Sequence, residues 1–169
     1  MIEAILLLGL IAVIMTVAFV LYPQVRDSNQ TATEQQRLLR TVSVLRSVYF
    51  TRGNYIGLTT DVANEAKAFA VKANAGNYQA GQPISNLWGG SIQVNQLASD
   101  PKQMELTYTL VPQDACIKLI TGPGRNFRTV WVDNAIVARS GDGQNIDING
   151  IVTACGTNPA GATIALATE

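Results

Sequence analysis

The sequence contains no histidine. That removes the commonest general base and the commonest metal ligand together. It has two cysteines, Cys116 and Cys155, far apart and without a metal-type cluster, so neither a thiol nucleophile nor a zinc site is supported. Charge is scarce: 14% of the 169 residues are charged, and 12 basic residues against 12 acidic ones give a formal net charge of zero. Such a balance offers no electrostatic footprint for nucleic acid, and no nucleic-acid binding is inferred. Gly122-Pro123-Gly124-Arg125 lacks the Lys-Ser/Thr of a phosphate loop and reads as a surface turn. Asp142, Asn145 and Asp147, around Gly141 and Gly143, lack the spacing and closing glutamate of a calcium loop; a glycine-rich hairpin loop is the better reading. No catalytic residue, metal or cofactor is expected, and the chain does not read as an enzyme.

What is present begins at the amino terminus. Residues 4–22, from Ala4 to Tyr22, carry no charge and almost no polarity. As a helix this run reaches about 28 Å, the thickness of a bilayer's hydrocarbon core. No basic residue precedes it and no small-residue cleavage site follows at Leu21-Tyr22-Pro23-Gln24, so it reads as a retained anchor rather than a removed signal. Glu3 stands at its mouth, where an ionised carboxylate is costly unless paired or wetted. Pro23 withholds a donor and crowds the preceding turn, which predicts a bend or break there.

Beyond Pro23 the composition turns polar, and Leu38, Val42, Leu45 and Tyr49 recur at spacings of four, three and four, one face of a helix. Arg37, Arg40, Arg46 and Arg52 are expected mostly on the other side, with Gly53-Asn54 as the stop. One long kinked helix to about Arg52 is therefore predicted, apolar all round in its first half and one-sided in its second. Three regions follow: an anchor and helix at 1–23, an amphipathic continuation at 24–53, and a globular α/β head at 54–169.

Within the head, Thr60 or Asp61 is expected to cap a short helix running through Val71-Lys72. Residues 92–97 and 104–110 alternate as half-buried strands around a turn at Asp100-Pro101. Pro112-Gln113-Asp114 starts a helix with Cys116, Leu119 and Ile120 on one face, ended by Gly122-Pro123-Gly124. Residues 127–132, 135–138, 146–153 and 163–167 are further strand candidates. The fold class is α+β: a long amino-terminal helix packed against an antiparallel sheet. Trp88 and Trp131 read as core or subunit contacts rather than a sugar platform.

Five arginines against Asp27 and Glu34 between Gln24 and Arg52 would hold this flank in the cytoplasm by the positive-inside rule. The cysteine pair argues the reverse: a single bridge between Cys116 and Cys155 suits an extracytoplasmic domain better than two buried free thiols. A basic leader, cut off ahead of Met1, would reconcile the two.

These features together resemble the type IV pilins, and more closely their type IVb branch. The matching pieces are Ile2-Glu3-Ala4 before the apolar run, Tyr55-Ile56-Gly57-Leu58 after the helix, Asn86-Leu87-Trp88-Gly89-Gly90 leading into a strand, Asp114-Ala115-Cys116-Ile117, and Thr153-Ala154-Cys155. The resemblance implies a pilin fold and a subunit made with a short basic leader. A prepilin peptidase would remove that leader and methylate the new terminus. Subunits would wait in the inner membrane until the pilus assembly machinery draws them into a helical homopolymer outside the cell. It also implies that Glu3 neutralises the terminal amine of a neighbour, so Met1 and Glu3 are the assembly positions, and that Cys116 and Cys155 match the family's disulfide. Two residues precede Glu3 where the family usually has four, and Leu87 stands where many relatives have proline.

Gly9 and Ala12 are small enough to let helices approach closely. The reading that follows is a major structural subunit of a filament serving adherence, aggregation or conjugative contact. A minor pilin or tip adhesin of the same machinery is the alternative.

Overall fold

A computed structural model describes residues 2–69, 81, 83–139 and 147–169, with side chains at Met15 and from Arg26 onward. Helix α1 runs from Ile2 to Tyr49, 48 residues, or about 72 Å at the rise of an α-helix. It stays helical through Pro23; a proline costs one intrahelical bond, which a long helix can lose without breaking. Its carboxyl end comes at Tyr49 rather than Arg52. The amides of Arg52 and Gly53 both fold back onto the Tyr49 carbonyl, and Gly53 takes the left-handed φ of +64° that ends the helix.

The second half of α1 is one-sided, as its period predicts. Leu38, Val42, Leu45 and Tyr49 are buried, each a turn from the next, and lie in the core with the inward residues of the sheet. That sheet has six strands: β1 (Ile84–Ser85), β2 (Ser91–Gln96), β3 (Met104–Val111), β4 (Thr129–Val132), β5 (Ala135–Arg139) and β6 (Ala162–Thr168). Their order is β1-β2-β3-β6-β4-β5 and every pairing is antiparallel. The last strand enters the middle, between β3 and β4, so the sheet cannot be completed until the end of the chain returns. Alternation places Ile92 and Val94, Met104, Leu106 and Tyr108, Val130 and Val132, and Ile164 and Leu166 inward, all buried.

Short helices fill the remaining connections. Helix α2 spans Thr60–Glu65, and its cap is Thr59, whose hydroxyl accepts from the Val62 amide, rather than Thr60 or Asp61. Thr60 instead accepts from the Val94 amide of β2. The helix stops at Glu65, well short of the expected Val71-Lys72, which lie outside the described residues. Helix α3 (Gln113–Thr121) starts after Pro112 and ends at Gly122, leading into a 3-10 turn at Pro123–Asn126.

Of residues 146–153, expected as a strand, 148–153 form instead most of helix α4 (Ile148–Gly156), and Ile146 lies outside the described residues. The reason is local. Asp147 caps the helix by accepting from the Asn149 amide at 3.1 Å, and Ile151 and Cys155, four residues apart, share its buried face. A short apolar run suits either period, and here the cap decides.

Candidate functional site

Met1, Glu3 and Pro23, the assembly and bend positions, have side chains outside the described set, as do Asp142 and Asn145. No helix among the described residues is long and apolar enough to cross a membrane; the side chains of the apolar run at 4–22, apart from Met15, lie outside them. Among the described residues no cluster of His, Cys, Asp and Glu could hold a metal ion. Asp147 serves as a helix cap.

Cys116 and Cys155 are joined by a disulfide that staples α3 to α4, with their Cα atoms 5.9 Å apart and both side chains buried. It closes a loop across a sequence separation of 39 residues. Opening it, as Cys116→Ser with Cys155→Ser, is expected to cost about 3–4 kcal/mol, because the unfolded chain regains the entropy of that loop. Denaturant unfolding of the full chain with and without reductant measures this, and coincident midpoints would show that the staple contributes nothing. Trp88 and Trp131 are half-buried, and Trp88 packs on the core.

The junction between α1 and the head is where polar chemistry concentrates. The buried stripe of α1 contains Thr31, Glu34, Arg37 and Thr41 alongside its apolar residues. Arg37 was expected on the solvent side but is 6% exposed, and Glu34 is wholly buried. One turn apart, they form an ion pair, Arg37 Nη1 donating to Glu34 Oε1 at 3.2 Å. The same oxygen accepts from the Leu87 amide at 2.9 Å, and the same nitrogen donates to the Ser85 carbonyl at 3.0 Å. Arg37 also sits over the Phe69 ring, 5.9 Å from its centre. A buried charge is tolerable only when paired and hydrogen-bonded. The guanidinium meets that condition by reaching into the head instead of out to water.

The partner segment is shaped for this contact. Asn86 folds residues 86–90 into a turn: its Oδ1 accepts from the amides of Trp88 and Gly90, and its Nδ2 donates to the Thr109 carbonyl at 2.7 Å. Gly90 runs so close to β3 that a Cβ there would lie 1.9 Å from the Thr109 carbonyl oxygen. Glycine is therefore required by proximity. The turn presents the Leu87 N–H to the helix, a donor that a proline at this position would lack.

Electrostatics at the junction follow from burial. Desolvation raises the Glu34 carboxyl above the usual carboxylate range, against the opposing pull of Arg37 and the Leu87 amide. Burial, with Glu34 nearby, holds the Tyr108 phenol far above its ordinary value. Glu34 Oε2, Arg37 Nε and Tyr108 Oη are buried without a hydrogen-bond partner among the described residues.

Further contacts stitch α1 to other parts of the head. Gln35 donates to the Lys118 carbonyl of α3 at 3.0 Å, and Thr41 to the Ala68 carbonyl at 3.3 Å. Arg46 donates to Thr168 Oγ1 and to the Glu169 carbonyl, each at 2.5 Å. The Arg128 side chain pairs with the Glu169 carboxylate. Sequence reasoning missed this set. The signal available was a glutamate three residues before an arginine, falling in the same stripe as Leu38 and Val42.

A long amino-terminal helix laid on a six-stranded antiparallel sheet, with a disulfide stapling two later helices, is the fold of the type IVb pilins. It is similar to TcpA, a type IV pilin from Vibrio cholerae El Tor biotype, at a TM-score of 0.60 and 15% identity over 83% of this chain and 99% of that one. It is also similar to a type IVb pilin from Salmonella typhi, at a TM-score of 0.53 and 19% identity over 80% of this chain and 97% of that one. Residues 28–169 match the family model described as PilS N terminal, and the chain belongs to that family. None of the curated proteins matches it.

Proposed function

We propose that the chain is the major structural subunit of a type IVb pilus. It polymerises through its amino-terminal helices into an extracellular filament used in adherence, aggregation or conjugative contact. One observation carries this reading. Among the described side chains, the first on α1 that the head buries is Thr31. Roughly 43 Å of helix precede it, and the sequence there is apolar from Ala4 to Tyr22. An apolar run of that length needs apolar surroundings, which lipid or sister helices supply.

The inner membrane is the expected partner before assembly, and copies of the same chain afterwards. A prepilin peptidase and the pilus assembly machinery are the further partners this reading requires. In this reading the chain's role is structural.

The test is to shear intact cells, image the released material and identify its chief polypeptide, with mass spectrometry of its amino terminus. Filaments built mainly of this chain are expected. Filaments in which the chain is scarce would instead make it a minor pilin or tip adhesin.

A further inference from the structure

The head grips α1 by two kinds of contact that differ in what they specify. The apolar contacts at Leu38, Val42, Leu45 and Tyr49 are non-directional, and adhesion of that kind tolerates small rotations and slips. The polar contacts are directional, and each reaches a different part of the head: Gln35 to α3, Glu34 to the 86–90 turn, Arg37 to β1, Thr41 to Ala68, and Arg46 to the end of β6. At their centre is the buried pair, Glu34 with Arg37, which shares its two bonding atoms between helix and head.

From this we infer that Glu34 and Arg37 are positioning residues. They lock the rotation and axial register of the head on its helix, and thereby fix the angle at which each subunit presents its head in a polymer. The inference rests on the filament reading above, because only in a polymer does that angle repeat from copy to copy.

The physical ground is an asymmetry. A buried ion pair gives up much of its attraction to desolvation, so it is a poor source of stability and a better source of uniqueness. Three buried polar atoms at this junction lack partners among the described residues, so this polar centre was not built for stability alone. The Leu87 amide is the head's half of the lock. It is available because residue 87 is not proline.

The experiment uses the full chain, in detergent and as filaments, in two variants. Glu34→Leu with Arg37→Met replaces the pair by apolar residues of similar size. Leu87→Pro removes the donor from the turn, and with it the leucine side chain, while fixing φ at residue 87. In the double variant the thermal midpoint is expected to stay the same or rise. Amide exchange across residues 84–87 is expected to quicken on the order of tenfold or more, as the loss of a charge-assisted hydrogen bond allows. Filaments of either variant should still form, with a wider spread of helical rise and twist than the parent.

Wild-type exchange in the double variant, or wild-type helical order in either variant, overturns the inference. Should the double variant fail to fold, Leu87→Pro alone decides through filament order. Should the parent chain itself form no filaments, the subunit reading fails, while exchange at 84–87 still decides whether the lock exists.

Discussion

Replacing Glu3 with alanine is expected to abolish filaments while leaving the head folded. Glu3 is the only charged residue in the first 25 positions, and an apolar run follows it directly. In such surroundings an ionised carboxylate is costly unless an opposite charge meets it. The nearest basic side chain in sequence is Arg26, about 35 Å away along a helix. We therefore propose that its partner is the terminal amine of a neighbouring copy. A charge pair buried in an apolar bundle fixes axial register, as a lone polar residue does in a coiled coil. Deleting the acid strands the amine, at a cost of roughly 3–5 kcal/mol per subunit, and that cost recurs at every added copy. Growth should stop rather than slow. The measurement is electron microscopy of piliation beside the thermal midpoint of the purified variant. Normal filaments on Glu3→Ala cells would refute the pairing, and a head that unfolds would show that Glu3 acts within its own subunit.

How far the sequence alone reached depended on the range over which each feature is decided. The second half of α1 was legible, because Leu38, Val42, Leu45 and Tyr49 repeat a helical period and bury as one face. Strands β2 and β3 were legible to within a residue, since their alternation is decided by neighbours two positions away. Helix α4 was misread because Ile148, Ile151 and Val152 form a short apolar cluster, and a side-chain cap at Asp147 settles its conformation. Strand β1, two residues long, had no period to detect. The burial of Glu34 and Arg37 was the largest omission. Long charged side chains default to solvent, and only the arrival of Ser85 and Leu87, about fifty residues on, makes the interior tolerable for them. The motif at residues 86–90 carries a family resemblance in the sequence, but its work as a docking turn is visible only in three dimensions. The Asn86 side chain shapes it, and the Leu87 amide meets the helix.

Arg37→Ala, on the second half of α1, is expected to destabilise the folded chain by about 3–5 kcal/mol near neutral pH. The variant leaves Glu34 buried with the Leu87 amide as its one hydrogen-bond partner among the described residues, removes the bond to the Ser85 carbonyl, and uncovers the Phe69 ring. Its pH dependence separates a lost charge from lost packing. Burial already holds the Glu34 carboxyl above its ordinary range in the folded chain, with Arg37 opposing that shift. Between the unfolded pKa and the raised folded one, the folded state binds more protons than the unfolded state, so this group's contribution to stability falls as pH rises through that window. Removing Arg37 raises the folded pKa further and extends the window upward. Below the ordinary carboxylate range Glu34 is protonated in both states, and the electrostatic part of the loss disappears. The deficit of Arg37→Ala against the parent should therefore be smaller near pH 4, where the lost Ser85 bond and Phe69 contact remain, and grow toward pH 7. Paired denaturant titrations at the two pH values measure it. A deficit that is the same at both would assign the whole effect to packing and remove the charge pair from the account of this junction.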